Sequence, residues 1–98
     1  MIYYIYDGEK LVKFDTQSAQ LLFRTREERG RWSELYQTPS GAFVYVTRTR
    51  WQGEHDTACI VPEEEAVRKL ASASQSASLT DAGKHILTTL EEKYIATI

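Results

Sequence analysis

Six arginines, Arg24, Arg26, Arg29, Arg31, Arg48 and Arg50, and both tryptophans, Trp32 and Trp51, fall in the middle of the chain. Alternate positions on an extended strand point to one side, so Arg24 with Arg26, and Arg48 with Arg50, are each expected to share a face. Guanidinium groups grip phosphates and carboxylates through paired hydrogen bonds, and indole rings beside them offer flat apolar surface. Two kinds of chemistry suit that combination. One is a protein contact, because Trp, Tyr and Arg concentrate binding energy at interfaces. The other is single-stranded nucleic acid, held by backbone charge and base stacking. Against both stands a solvated face, its arginines paired to Glu27, Glu28, Glu34 and Glu54 and serving only to keep strand edges from aggregating. The candidate partner-binding set is Arg24, Arg26, Trp32, Arg48, Arg50 and Trp51.

Other reactive side chains are sparse. Glu54, His55, Asp56 and Cys59 are close in sequence, but a structural metal site normally takes four well-spaced ligands, and no metal is expected. Cys59 and His85 could supply a nucleophile and a base; no orienting acid or oxyanion element accompanies them. Between Ala58 and Ile60, Cys59 reads as a small core residue. The five glycines never take a phosphate-cradling spacing. No catalytic residue and no cofactor are expected, and a small enzyme is the weakest of the readings.

Ninety-eight residues suit one domain that buries roughly two-thirds of its unfolded surface. With 42% hydrophobic, 27% charged and 11% aromatic residues the composition is that of an ordinary folded protein. Net charge is −2, unevenly divided: residues 1–50 carry eight basic against six acidic side chains, residues 51–98 four against eight. One end of the sheet is therefore expected to be positive. A single cysteine cannot close an intrachain disulfide, Met1 to Tyr6 is too short and uncharged for a signal peptide, and no apolar run approaches a membrane span. The expected compartment is the cytoplasm.

The elements that must position these residues are legible in the patterning. Ile2 to Tyr6 and Lys10 to Phe14 are β-branched and aromatic runs around Asp7-Gly8-Glu9, a hairpin signal. Asp15 or Thr16 can cap a helical turn before Gln20 to Arg26 extends as a third strand; a short helix to Phe23 competes. Glu27 to Arg31 reads as a charged, solvated loop. Strands four and five flank Thr38-Pro39-Ser40-Gly41, where Pro39 suits a type I turn and Gly41 the positive φ of a bulged three-residue loop. That loop sets Thr38 opposite Ala42, Tyr36 opposite Val44, Leu35 opposite Tyr45 and Trp32 opposite Arg48, the last a candidate cation–π pair. Both faces of this sheet are partly apolar, so each wants cover, and an uncovered second face would favour a homodimer. Pro62 at a first helical position, Glu63 to Glu65 in the first turn, and Ala66, Val67, Leu70 and Ala71 at helical spacing describe a short helix. A small-residue linker follows at about 72–78, and then a helix capped by Ser78, with Leu79, Ala82, Ile86, Leu87, Leu90 and Tyr94 on one stripe. This last helix is the expected cover of the sheet, with exchange onto a neighbouring chain as an alternative. The fold expected is α+β: a single domain over 1–98, mainly β over 1–61 and mainly helical over 62–98, with an antiparallel sheet of about five strands and one or two C-terminal helices.

Lys13-Phe14-Asp15-Thr16 with Ala19, then Glu34-Leu35-Tyr36-Gln37-Thr38 with Gly41 and Phe43, then Glu63-Glu64-Glu65-Ala66, resemble a group of short, mostly uncharacterised phage, plasmid and prokaryotic proteins. Those carry a Tyr-Asp-Thr-x-x-Ala element, a Leu-Tyr-x-Thr-x-x-Gly-x-aromatic hairpin and a terminal Glu-Glu-Ala helix; Phe14 stands here where Tyr is commoner. The resemblance covers about two-thirds of the chain and implies a mobile-element protein, anti-defence and anti-CRISPR factors among them. The functional expectation is a non-catalytic protein-binding module directed at a host defence complex. The alternative is a small nucleic-acid-binding regulator using the same Arg and Trp residues.

Overall fold

The computed structural model describes residues 1–98. Six strands and two helices follow in the order β1 (Ile2–Asp7), β2 (Lys10–Asp15), β3 (Gln20–Arg24), β4 (Arg31–Gln37), β5 (Phe43–Thr49), β6 (Thr57–Val61), α1 (Glu63–Ser76) and α2 (Asp81–Tyr94). The fold is α+β, as its sequence predicts. Its strands form two groups instead of one sheet: an antiparallel meander β3-β4-β5-β6 and a separate β1-β2 hairpin.

The central turn forms as read. Gly41 N donates to Thr38 O and Thr38 N to Ala42 O, Gly41 has φ 90°, and the pairs Tyr36–Val44, Leu35–Tyr45 and Trp32–Arg48 stand opposite one another. Strand alternation then sorts the apolar residues into two cores. Leu35 and Phe43 pack with Val61 and with Ala66, Leu70 and Ala73 of α1. Tyr36, Val44 and Val46 face the opposite way and pack with Ile5 and Phe14 of the hairpin. The second sheet face is thus covered by the chain's own N-terminal hairpin, which removes that face as a dimer contact.

A bulge between Leu21 and Phe23 in β3 turns Leu22 and Phe23 both toward the helices, where each is almost fully buried. The extra residue also presents the Leu21 and Leu22 carbonyls along the strand's outer edge. Thr80 occupies them: its hydroxyl lies 2.6 Å from Leu21 O and its N–H donates to Leu22 O. The same hydroxyl accepts from Gly83 N, so Thr80 and not Ser78 caps α2. Leu79, expected on the helical stripe, instead forms an antiparallel bridge with Phe23.

Three further readings of the C-terminal third are corrected. The segment 72–78 is helical through Ser76, not a linker: Ala is the best helix former, and Ala73 is buried in the core beside α1's Leu70. The principal cover of the sheet is α1, whose Ala66, Val67 and Leu70 are fully buried; of α2 only Gly83 is. Pro62 stands at the cap position, one residue before the helix begins, and provides no side-chain cap bond. The last helix packs in cis, fastened at its start by Thr80 and at its end by Glu63, which accepts hydrogen bonds from Lys93 Nζ (3.1 Å) and the Tyr94 hydroxyl.

Candidate functional site

The Arg and Trp residues lie at the end of the sheet where β3, β4 and β5 run out. Only Arg24 and Arg48 of the predicted arginines sit on strands; Arg26 and Arg50 fall just past the ends of β3 and β5. Trp32, Glu34 and Arg48 point to the hairpin side of the sheet. Glu34 is buried there between two arginines, with Arg48 Nε 2.6 Å from Oε1 and Arg24 Nε 3.7 Å from Oε2. The Tyr36 hydroxyl donates to the same carboxylate. Burial and the neighbouring Glu34 charge push the Tyr36 phenol above its ordinary value, and the Glu34 carboxylate outweighs the cost of desolvation to hold Arg48 more firmly charged.

Arg48 is therefore an internal ion-pair partner, not an open docking group. The cation–π contact with Trp32 comes from Arg24 instead, whose guanidinium carbon lies 5.0 Å from the ring centroid. Although Trp32 stands opposite Arg48, the buried carboxylate beside it draws the guanidinium away, as the stronger attraction at low dielectric. Trp32 lines a polar cleft of about 390 Å³ with Arg26, Arg31, Ser33 and Thr47, and its indole N–H is buried without a partner.

Two more pairs complete the end of the sheet: Arg31 with Glu54, and Arg50 with Glu27. The Arg31 guanidinium, with the Thr49 hydroxyl, holds the Glu54 carboxyl below its usual range. The positive field expected here is largely cancelled. Glu27 and Glu34 come from the arginines' own half of the sequence, and the β5–β6 connection folds Glu54 of the acidic half back onto Arg31. Arg26 and Arg29 make no ion pair.

The segment Glu27 to Arg31, read as a solvated loop, is a tight turn. Glu28 and Arg31 exchange backbone hydrogen bonds of 2.8 and 3.0 Å around Arg29 and Gly30, whose φ values are 53° and 78°. Positive φ at both central residues is the type I′ hairpin geometry, normally served by Asn-Gly. Arg29 is the only non-glycine residue with positive φ and is strained by its β-carbon. Trp51 braces the turn from the side: its Nε1 donates to Arg29 O, and Gly30 lies so close that a β-carbon there would sit 2.6 Å from Trp51 Nε1. Trp51 as a whole remains 54% exposed.

No protein-family model, curated protein sequence or solved structure matches this chain.

The remaining candidates stay apart. Asp56 accepts from Thr49 N and from the Tyr3 hydroxyl; burial and this bond push the Tyr3 phenol up to about 12. Glu54 is engaged by Arg31 and Thr49, and no three His, Cys, Asp or Glu side chains converge as metal ligands. Cys59 is exposed on β6, contrary to its reading as a core residue, on the strand opposite Tyr45. His85 is exposed on α2, and no hydrogen bond joins it to Cys59. No helix is long and apolar enough to cross a membrane.

Sequence reasoning missed the strained Arg29–Gly30 turn. A two-residue turn ending in Gly, flanked by Glu28 and Arg31, was the available signal, masked by the run of charges. It also missed the hairpin's outer surface, where Tyr4 and Tyr6 are 67% and 70% exposed.

Proposed function

We propose that this chain is a non-catalytic protein-binding module whose contact surface is the rigid tip formed by Arg26, Arg29 and Trp51. The observation that carries the reading is the strained type I′ turn at Arg29 and Gly30, braced by the Trp51 indole. A backbone conformation that costs stability, held in place by a neighbour, is the kind of feature that persists at functional positions. Its effect is preorganisation of the backbone: two arginines without ion pairs and a half-exposed tryptophan are presented from a turn with little loop entropy left to lose on binding. Arg24, Arg48 and Arg50 are taken up by Glu34 and Glu27, and Trp32 by Arg24, which leaves the tip residues as the free contact groups. The further step, to a cytoplasmic inhibitor of a host defence complex encoded on a mobile element, rests on the sequence resemblance alone.

The test is an interference assay in cells carrying a CRISPR-type defence. Expression of the chain is expected to depress interference, and Arg29→Glu combined with Trp51→Ala to restore it by about tenfold or more. Interference that is untouched by the wild-type chain in every system tried defeats the defence-inhibitor reading. Nucleic-acid binding by the same arginines would show as affinity falling steeply with salt. The pairing of Arg24, Arg31, Arg48 and Arg50 to carboxylates favours the protein contact, because a phosphate would have to displace those partners.

A further inference from the structure

We infer that the outer face of the β1-β2 hairpin is a self-association surface that takes a second copy of this chain. The inference is independent of the Arg29 tip, which lies elsewhere on the molecule.

β1 is apolar at every position from Ile2 to Tyr6. A strand that is apolar on both faces belongs between two layers, yet only one layer is present. Ile5 and Phe14 are buried against the central sheet. Ile2, Tyr4, Tyr6 and Leu11 point the other way and are 46–70% exposed. Tyr6 stands directly opposite Leu11, and Tyr4 opposite Lys13, so the apolar groups form one continuous patch.

At about 200 Å² for a fully exposed large side chain, those four residues offer about 470 Å² per copy. Two such faces together bury about 940 Å², the size of a weak, reversible contact, which sets the concentration range of its test. The polar groups on the face suit its own image. A tyrosine hydroxyl both donates and accepts, and Lys13 and Asp15 occupy successive outward positions on β2, so a two-fold related copy meets both signs of charge and not a like-charged surface. An isologous contact requires this self-complementarity.

Sedimentation equilibrium over roughly 10 to 500 µM tests the inference. The wild-type mean mass is expected to climb from 11.3 kDa toward twice that value. Tyr4→Thr combined with Tyr6→Thr keeps strand propensity and removes the aromatic surface; it is expected to stay monomeric while its circular-dichroism spectrum at low concentration matches the wild type. Arg29→Glu with Trp51→Ala is expected to dimerise as the wild type does, which separates this surface from the proposed binding tip. A wild-type chain that stays monomeric throughout, a Tyr4/Tyr6 variant that dimerises equally well, or a mass that rises past the dimer overturns the inference.

Discussion

Gly83 lies against the carbonyl of Leu22 so closely that a β-carbon at this position would overlap the oxygen. The first turn of α2 thus rests directly on the backbone of the bulged strand β3, and Thr80 closes the contact with hydrogen bonds to Leu21 and Leu22. In an open helix Gly→Ala is expected to stabilise by about 1 kcal/mol. Here Gly83→Ala is expected to destabilise by about 2 kcal/mol or more, since helix and strand must separate to admit the methyl group. Urea denaturation of the two proteins measures the sign.

Glu34 holds the interior of the Arg cluster. Its side chain is 8% exposed, and that of Arg48 is 18% exposed. Glu34→Gln removes the charge that compensates Arg48 and is expected to cost about 2–4 kcal/mol. Replacing the pair together, Glu34→Leu with Arg48→Met, is expected to recover most of that loss, because no uncompensated charge remains inside. A double-mutant cycle in denaturant gives the coupling; additivity of the two single changes would remove the pair from the account.

Arg29 carries the strain of the tip. Arg29→Asn supplies the residue that type I′ turns favour and is expected to raise stability by about 1 kcal/mol. The same change is expected to weaken partner binding, as Asn lacks the guanidinium. A melting temperature that does not move would show that the turn is relaxed as it stands.

The clamp between the two helices is set by pH. Hydrogen bonds from Tyr94 and Lys93 hold the Glu63 carboxyl below its ordinary value. A carboxyl whose folded value is depressed contributes stability above its unfolded value and loses it as pH falls through the folded one. The Glu63 bonds raise Lys93 and Tyr94 above their ordinary values, with burial adding to the rise at Tyr94, so their contributions are present below the unfolded values and fade as pH climbs through the raised folded ones. The end of α2 is therefore expected to stay docked across the neutral range and to fray below about pH 4.5. Amide exchange near Tyr94 reads this directly, and Glu63→Gln is expected to flatten its acid limb.

The hairpins were legible because their turns carry local chemistry: Gly41 after Pro39 sets both the loop and the pairing of β4 with β5 down to Trp32 and Arg48. The alternation of Leu35, Tyr36, Val44 and Tyr45 likewise foretold a sheet with two apolar faces. What covers each face was not legible. Assigning β1-β2 to one side and α1 to the other depends on contacts far apart in sequence, such as Phe14 with Tyr36. Nor was β6 visible as a strand, since Thr57 to Val61 is short and partly small, and its pairing partner Phe43 to Thr47 lies beyond the intervening loop. The Arg-rich site was half legible. Its residues do gather, but Glu34, Glu27 and Glu54 neutralise most of them, and strand periodicity carries no information about the sign of a neighbour brought in by a loop.

The backbone groups of β3 that Thr80 and Leu79 occupy leave the central meander with unequal borders: one is sealed by the approach to α2, while β6 pairs only with β5. Endless stacking by strand addition requires two open borders on every molecule. This meander has one, so any chain-to-chain growth along it stops at a pair, and fibre formation through it is blocked from within the fold.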